Sequence, residues 1–366
     1  MTKKNNPKKM RENINLFLVN KRLTIKDAMK RMDQAGEKIL FLVDKNMRLL
    51  GSLTDGDMRR WILNEGVLSE KIDKVFNSNP FFVKEDYDLE AVKDLMIKEK
   101  IEWLPVIDRK RRVIDILFWE DIFQKKKKNG NNLNIPVVVM AGGEGLRLNP
   151  FTRILPKPLI PIGEDPVSKI IMDRFSGFGC KNFYMILCYK SEMVKTYFSN
   201  VRKGYEINYI QEKKPLGTAG GLQFLPKDIA EDFFVTNCDA IIKADYSDIY
   251  RFHKEKRHDI TLIASMQHLK VPYGVVEIDN PGSLKKIVEK PEYDFLANTG
   301  MYVLSKKVLD FIPKNKVFHI TDLIHAIKKA GRNVGVYPVS GKSWMDVGQW
   351  EEYRKTLTEF NEWVKT

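Results

Sequence analysis

The stretch that decides the fold is Val137-Val138-Val139-Met140-Ala141-Gly142-Gly143-Glu144-Gly145-Leu146-Arg147-Leu148. Its β-branched opening fits a strand covered on both faces. From Ala141 onward, Gly142, Gly143 and Gly145 let backbone N–H groups approach phosphate oxygens closely, and Arg147 adds a cation. The spacing is neither GxGxxG nor a P-loop, since the Lys-Ser/Thr ending is missing. A plain tight turn would account for the glycines by themselves. Leu155-Pro156-Lys157-Pro158-Leu159 strengthens the phosphate reading, because prolines on both sides stiffen the backbone that presents Lys157.

Upstream of the strand, residues 125–134 run Lys-Lys-Lys-Lys-Asn-Gly-Asn-Asn-Leu-Asn, a linker composition that separates two regions of different character. Ahead of it lies an internal repeat at an offset of 64: Leu42-Val43-Asp44 returns as Val106-Ile107-Asp108, Leu53 as Leu117, and Asp57 as Asp121. Each copy opens on helical periodicity, Ile25, Ala28, Met29 and Met32 in one and Leu89, Val92, Leu95 and Met96 in the other, with Thr24 placed to cap the first. Strand, turn, strand and a second helix follow. Mixed αβ repeats of this length pack as a pair, since neither copy buries its apolar face alone.

At 366 residues and 42.6 kDa the chain has room for two or three domains, each with its own core. A charged content of 30% beside 43% hydrophobic residues argues against a disordered chain. No apolar run reaches the ~20 residues of a membrane span, and the first residues lack the apolar core of a signal peptide. Cys180, Cys188 and Cys238 form neither a disulfide framework nor a zinc pattern, so a soluble cytoplasmic protein with no membrane partner is expected. The net charge of +14 is concentrated in Lys3, Lys4, Lys8, Lys9, Arg11, in Arg109 to Arg112 and in Lys125 to Lys128. Such runs in tails, turns and linkers are solvated segments, and no recognition helix or aromatic-plus-basic signature accompanies them, so no specific nucleic-acid partner is expected.

Residues 10–124 resemble a tandem CBS-domain pair, a regulatory or dimerising module, on the strength of Gly51-Ser52-Leu53-Thr54-Asp55-Gly56-Asp57-Met58-Arg59-Arg60. That resemblance implies that Thr54 and Asp57 hold the phosphate and ribose of an adenosine nucleotide. The alternative is that Asp57 only caps the following helix. In the second copy Phe118 stands at the threonine position although Asp121 remains, which leaves one of two clefts impaired.

Residues 135–366 resemble the sugar-1-phosphate nucleotidyltransferases. The glycine loop and LPKPLIPIG carry the likeness, with Gln211-Glu212 and Pro215-Leu216-Gly217-Thr218-Ala219-Gly220-Gly221 matching a nucleobase loop. Val235-Thr236-Asn237-Cys238-Asp239 matches a strand-end motif in which Cys238 replaces the usual Gly, and Leu146 replaces the usual Thr of the first loop. Tyr273-Gly274-Val275-Val276, Val288-Glu289-Lys290-Pro291 and Asn298-Thr299-Gly300-Met301-Tyr302 match sugar-binding segments, and Trp344-Met345-Asp346-Val347-Gly348 matches a motif supplying a second metal ligand. The implied fold is α/β: a Rossmann-like, GT-A-like domain with a mostly parallel sheet, helices on both faces and the cleft at the carboxyl ends of its strands.

The implied reaction is attack of a sugar-1-phosphate oxygen on the α-phosphorus of a nucleoside triphosphate, with pyrophosphate leaving. No enzyme nucleophile is needed, so positioning and charge neutralisation carry it. Arg147 and Lys157 are the expected catalytic cations, and Asp239 and Asp346 the expected ligands for Mg²⁺ or another divalent cation. Strand-end turn and helix cap are their ordinary alternatives. Nucleotide contacts are expected from Ala141, Gly142, Gly143, Gly145, Gln211, Glu212, Gly217 and Thr218, and sugar-phosphate contacts from Gly274, Glu289, Lys290, Asn298 and Thr299. Guanine offers two adjacent donors to a carboxylate such as Glu212, where uracil or thymine offers one, so GTP is the expected triphosphate. Domain order is most similar to the glucosamine-1-phosphate guanylyltransferases of bacterial legionaminic acid synthesis. The competing readings are a thymidylyl- or uridylyltransferase and a catalytically inactive nucleotide sensor. A homo-oligomer is expected, and Trp350 to Trp363 reads as a closing helix.

Overall fold

The computed structural model describes residues 14–63, 66–123, 132–201 and 203–365. The chain divides into two compact units, residues 1–123 and 124–366. The basic tail, Lys125 to Lys128 and most of the expected linker lie outside the described residues. Among the described residues, no helix is long and apolar enough to cross a membrane.

The first unit runs β1 (Leu18–Val19), α1 (Ile25–Ala35), β2 (Ile39–Val43), β3 (Leu49–Thr54) and α2 (Asp55–Leu63). It then repeats as β4 (Val83–Lys84), α3 (Leu89–Glu99), β5 (Trp103–Ile107), β6 (Val113–Phe118) and α4 (Trp119–Phe123). The boundaries of α1, β2 and β3 recur 64 residues later in α3, β5 and β6. Even the bulges recur, after Leu42 and after Val106. Local chemistry repeats too: Asp44 accepts the N–H groups of Asn46 and Arg48, and Asp108 those of Lys110 and Arg112. Thr24 caps α1 by accepting the Asp27 N–H, and Gly36 ends that helix at φ 68°. The copies share one core, in which Phe17, Phe41 and Leu49 of the first meet Ile107, Val113 and Phe118 of the second. Leu49 N–H to Arg111 O and Val113 N–H to Met47 O join their edges, both at 2.9 Å.

The second unit opens with β7 (Val137–Ala141), the short hairpin β8 (Pro161–Ile162) and β9 (Asp165–Pro166), and α5 (Val167–Gly177). It continues through β10 (Asn182–Leu187), α6 (Ser191–Asn200), β11 (Glu206–Gln211), α7 (Gly217–Gly220), β12 (Asp232–Asn237), β13 (Ala240–Ile242) and α8 (Tyr246–Glu255). Next come β14 (Ile260–Lys270), β15 (Val275–Asp279), β16 (Ser283–Val288) and β17 (Glu292–Ser305). Last are α9 (Ile320–Lys329), β18 (Val334–Val339), β19 (Trp344–Asp346) and α10 (Trp350–Lys365).

Seven strands form one sheet in the order β11-β10-β7-β12-β17-β14-β18. Pairing is parallel except at β17, which is antiparallel to both its neighbours. Both faces are covered: Val137, Val139 and Phe234 enter one core, while Val138, Phe233 and Val235 enter the other. That two-sided burial is why β7 reads as an unbroken apolar run. Strands after β7 step outward to β10 and β11, and β12 then returns to the other side of β7. The chain therefore reverses direction across the sheet between β7 and β12, the place where α/β sheets open a crevice at their carboxyl ends.

Candidate active site

The glycine loop leaves β7 at that crevice. Gly145 holds φ 68°, and a Cβ there would meet Thr152 Cγ2 at 2.8 Å and Lys157 Cβ at 3.2 Å, so neither the backbone angle nor the space admits a larger residue. Thr152, buried, donates its hydroxyl to Gly145 O at 3.0 Å and fixes the loop's return. Leu148 is buried beneath the turn, while Arg147 beside it is exposed. Lys157 begins a 3₁₀ turn anchored by buried Pro158, whose carbonyl accepts the Ser168 hydroxyl at 2.6 Å.

β12 ends at Asn237, and β13 pairs antiparallel with β19 so that Ala240 stands opposite Asp346. That pairing brings together two acids 107 residues apart in sequence. Lys157 forms an ion pair with Asp239, both largely buried. A Cβ on Gly348 would lie 2.4 Å from Asp239 Oδ2, 2.9 Å from Asp346 Oδ1 and 3.3 Å from Lys157 Nζ. Three charged heads thus converge where the chain spares room for no side chain. The Gly348 N–H donates to Asp346 Oδ1 at 2.8 Å. Burial and the neighbouring Asp239 raise the Asp346 carboxyl above its ordinary value, against the pull of the Gly348 N–H, Lys157 and Arg147. For Lys157, burial works against the charge, but Asp239, Cys238 and Asp346 more than offset it and hold the ammonium above its ordinary value.

Arg147, Asp239 and Asp346 line a cavity of about 270 Å³ together with Thr218, Asn237, Asn298, Thr299, Gly300, Tyr302 and Trp344. The two threonines are already engaged: Thr299 donates to Ile263 O at 2.8 Å, and Thr218 Oγ1 accepts the Ile320 N–H at 3.0 Å. Asn298 and Tyr302 hydrogen-bond each other at 2.8 Å. A second cavity, about 290 Å³, lies at the amino ends of the strands around Asn134, Asn182 and Asp228. It collects no cation, so the phosphate chemistry is assigned to the first.

Glu212 is buried at 4% exposure beside the glycine loop. A Cβ on Gly142 would meet its Oε2 at 2.8 Å, and one on Gly221 its Oε1 at 2.6 Å. The carboxyl thus sits between the phosphate loop and the loop that follows β11. It accepts the Leu216 N–H, while Oε1 has no hydrogen-bond partner among the described residues. Burial pushes this carboxyl up to about 7. Gln211 is exposed, and its side-chain amide donates to the Glu212 carbonyl at 3.3 Å.

Not every expected residue joins the cavity. Gly274, Glu289 and Lys290 lie at the base of the β15–β16 hairpin, where a Cβ on Gly274 would meet Glu289 Oε2 at 2.9 Å, and none of them lines the cavity. Asn237, Tyr302 and Trp344, quoted within their motifs but given no role of their own, do line it. Asn237 was within reach of a sequence reading, since it sits at the end of the strand that leads to Asp239. Trp350 was read only as part of a closing helix. Its indole donates to Asn149 O at 2.7 Å and packs on Phe151 with ring centroids 4.8 Å apart, bracing the Arg147 loop. In the first unit, Thr54 and Asp57 bond each other: Thr54 Oγ1 donates to Asp57 Oδ2 at 2.7 Å and accepts the Asp57 N–H at 3.1 Å. Arg60 adds an ion pair to Asp57 at 2.5 Å. This is a helix cap. The corresponding Phe118 is buried against Phe17.

A glycine loop, two cations and two converging acids at the point of strand reversal are the groups that a site for a phosphorylated ligand would need. The chain belongs to the nucleotidyl transferase family, whose profile matches residues 136–362, and CBS-domain profiles match residues 10–64 and 72–128. It is 30% identical over 241 residues to a UTP–glucose-1-phosphate uridylyltransferase of Synechocystis sp., covering 60% of this chain and 62% of that protein. It is 31% identical over 228 residues to a mannose-1-phosphate guanyltransferase of Pichia angusta, covering 59% and 61%. The chain thus spans about three-fifths of the length of these curated relatives. A solved structure of HddC from Yersinia pseudotuberculosis is 26% identical with a TM-score of 0.49, over 62% of this chain and 99% of that one.

Proposed function

We propose that this chain transfers a nucleoside monophosphate from a triphosphate, GTP by preference, to a sugar-1-phosphate, forming a nucleotide sugar and pyrophosphate. The observation that carries the reading is the shared cavity of Arg147, Asp239 and Asp346, with Lys157 bonded to one of the acids. A sugar-phosphate oxygen forms the new bond to the α-phosphorus as the bond to the leaving pyrophosphate breaks. Arg147 can fork across two phosphate oxygens, while Lys157 acts as a single point charge. Backbone N–H groups of Gly142, Gly143 and Gly145 would cradle the phosphates; a Cβ on Gly143 would meet open space.

The donor set also suits a hard divalent cation such as Mg²⁺. Asp239 and Asp346 supply only oxygen, and their mutual repulsion is what a cation would relieve. Among the described residues no group of three or more His, Cys, Asp or Glu gathers for a metal, so triphosphate oxygens and water would complete the shell. When bound, the cation would neutralise charge on the phosphates.

Base choice rests on Glu212. The two curated relatives carry uridylyl and guanyl names, so the family resemblance leaves the base open. A buried carboxylate with a spare oxygen favours guanine, whose N1–H and amine can both donate to it. Asn298, Thr299, Gly274, Glu289 and Lys290 are proposed for the sugar phosphate. Glucosamine-1-phosphate, for legionaminic acid type glycans, is the proposed acceptor on domain order. Thr54 and Asp57 are proposed for an adenosine nucleotide, whose binding would have to open the cap they form. The test is pyrophosphate release with Mg²⁺ across four triphosphates and a panel of sugar-1-phosphates. GTP with a hexosamine-1-phosphate is the expected best pair. Turnover with UTP or dTTP and none with GTP would move the assignment to a uridylyl- or thymidylyltransferase, and no turnover with any pair would favour a nucleotide sensor.

A further inference from the structure

The turn between β10 and α6 breaks three local rules at one residue. Lys190 is the N-cap of α6, at φ 48° and ψ 38°. That left-handed backbone suits glycine or asparagine, and Ser, Thr, Asp and Asn are the usual N-caps. Lys190 makes no side-chain cap bond, and a cation is disfavoured at that end of a helix. Residues that break local rules cluster where a structure needs them for something else.

What Lys190 does lies far back in the chain. Its ammonium donates to Ile154 O at 2.9 Å, 36 residues away, and also to Arg153 O. Tyr189 beside it donates its hydroxyl to Thr152 O at 3.2 Å, and its ring centroid lies 5.1 Å from the Lys190 ammonium. The Tyr189 N–H reaches Gly142 O at 3.4 Å. The three carbonyls at 152–154 belong to the segment that joins Arg147 to Lys157. Apolar burial does little for the middle of that segment, where Phe151 is 42% exposed and Ile154 72%. Hydrogen bonds from outside hold it instead: the Trp350 indole on Asn149 O at its start, Tyr189 and Lys190 further on. Thr152 passes the restraint to the glycine loop through its bond to Gly145 O.

We propose that Lys190 is a positioning residue for the transfer reaction. Its ammonium, with the Tyr189 hydroxyl, pins the segment between Arg147 and Lys157 and so sets where those two cations stand against the phosphates. The inference rests on the reaction proposed above, so its test has one readout that needs no turnover. Lys190→Gly relieves the left-handed backbone while removing the ammonium. Hydrogen exchange in the empty protein at the Arg153, Ile154 and Leu155 amides, which bond within the segment, should then quicken about tenfold. With the best pair of substrates kcat should fall about thirtyfold, KM for the sugar-1-phosphate should stay within twofold, and the urea midpoint should not drop. Lys190→Arg, which can still donate to both carbonyls, should keep exchange and kcat near native. A merely structural lysine would lower stability and rate together, and that outcome overturns the proposal. Unchanged exchange in Lys190→Gly refutes the clamp, and faster exchange with native kcat refutes its bearing on the reaction. A native chain that turns over no pair would sink the reaction itself, and the positioning role with it, whatever the exchange shows.

Discussion

The proposed phosphate end of the site and its proposed base end handle buried acid in opposite ways. At the phosphate end Asp239 is paired with Lys157, and Asp346 feels both Lys157 and Arg147. At the base end Glu212 has a backbone N–H and no cation, and burial dominates its behaviour. A region where charges already offset one another treats every triphosphate alike, since all carry the same phosphates. A region holding one uncompensated carboxyl responds to what a particular base donates. Discrimination on the proposed reading therefore belongs to Glu212, and rate to the other four residues.

The largest effect is expected from Asp239→Asn, which removes a proposed metal ligand and leaves Lys157 buried without its partner. Turnover should fall on the order of a thousandfold, and by the same factor for every triphosphate accepted. Steady-state kinetics with two triphosphates checks this. A loss confined to one of them would erase the division between the two ends. Glu212→Gln should act the other way round. Its amide offers one acceptor where the carboxylate offered two, so kcat/KM for GTP should fall about a hundredfold while that for UTP holds or rises. Equal losses on GTP and UTP would place Glu212 outside base recognition.

How much of this could be read beforehand differs between the ends for a physical reason. Repeats and glycine loops are local, so the offset of 64 and the run from Val137 to Leu148 carried their meaning in the sequence itself. The meeting of Asp239 with Asp346 is not local. It depends on β13 pairing with β19, and only resemblance to a family could anticipate it. Glu212 was legible as a residue but not in its burial, since the glycines that make room for it belong to two separate loops. The hydroxyl of Thr299 looked available and is held by Ile263, while Asn237 and Trp344 were quoted only as members of motifs built around Asp239 and Asp346 and were given no role of their own.

The pH dependence of nucleotide use separates the ends without changing any residue. With its carboxyl near 7, Glu212 is mostly ionised at pH 8 and mostly protonated at pH 6. On the proposed reading the ionised form accepts from guanine, so KM for GTP should rise about tenfold between pH 8 and pH 6. In Glu212→Gln that rise should vanish, and with a triphosphate that does not use the carboxylate it should be absent in either protein. A profile that is flat for native protein and GTP would remove Glu212 from the binding step.

The smallest effect concerns stability, and it carries the same contrast into the empty protein. A carboxyl raised from 4.5 to about 7 keeps a proton in the folded chain that the unfolded chain has already released. Native stability from this group is therefore greatest below the unfolded value and declines as pH climbs from 4.5 to 7, remaining low above that. Glutamine is neutral throughout and can still accept the Leu216 N–H through its carbonyl. Glu212→Gln should thus stabilise the protein at pH 8 by on the order of 1–2 kcal/mol and leave it unchanged at pH 4. Urea unfolding of both proteins at the two pH values measures the difference directly. Asp346 is also raised, but it is present in both proteins and cancels from the comparison. A variant that is less stable at pH 8 would mean that Glu212 is held as a paired carboxylate, and the base end would then resemble the phosphate end after all.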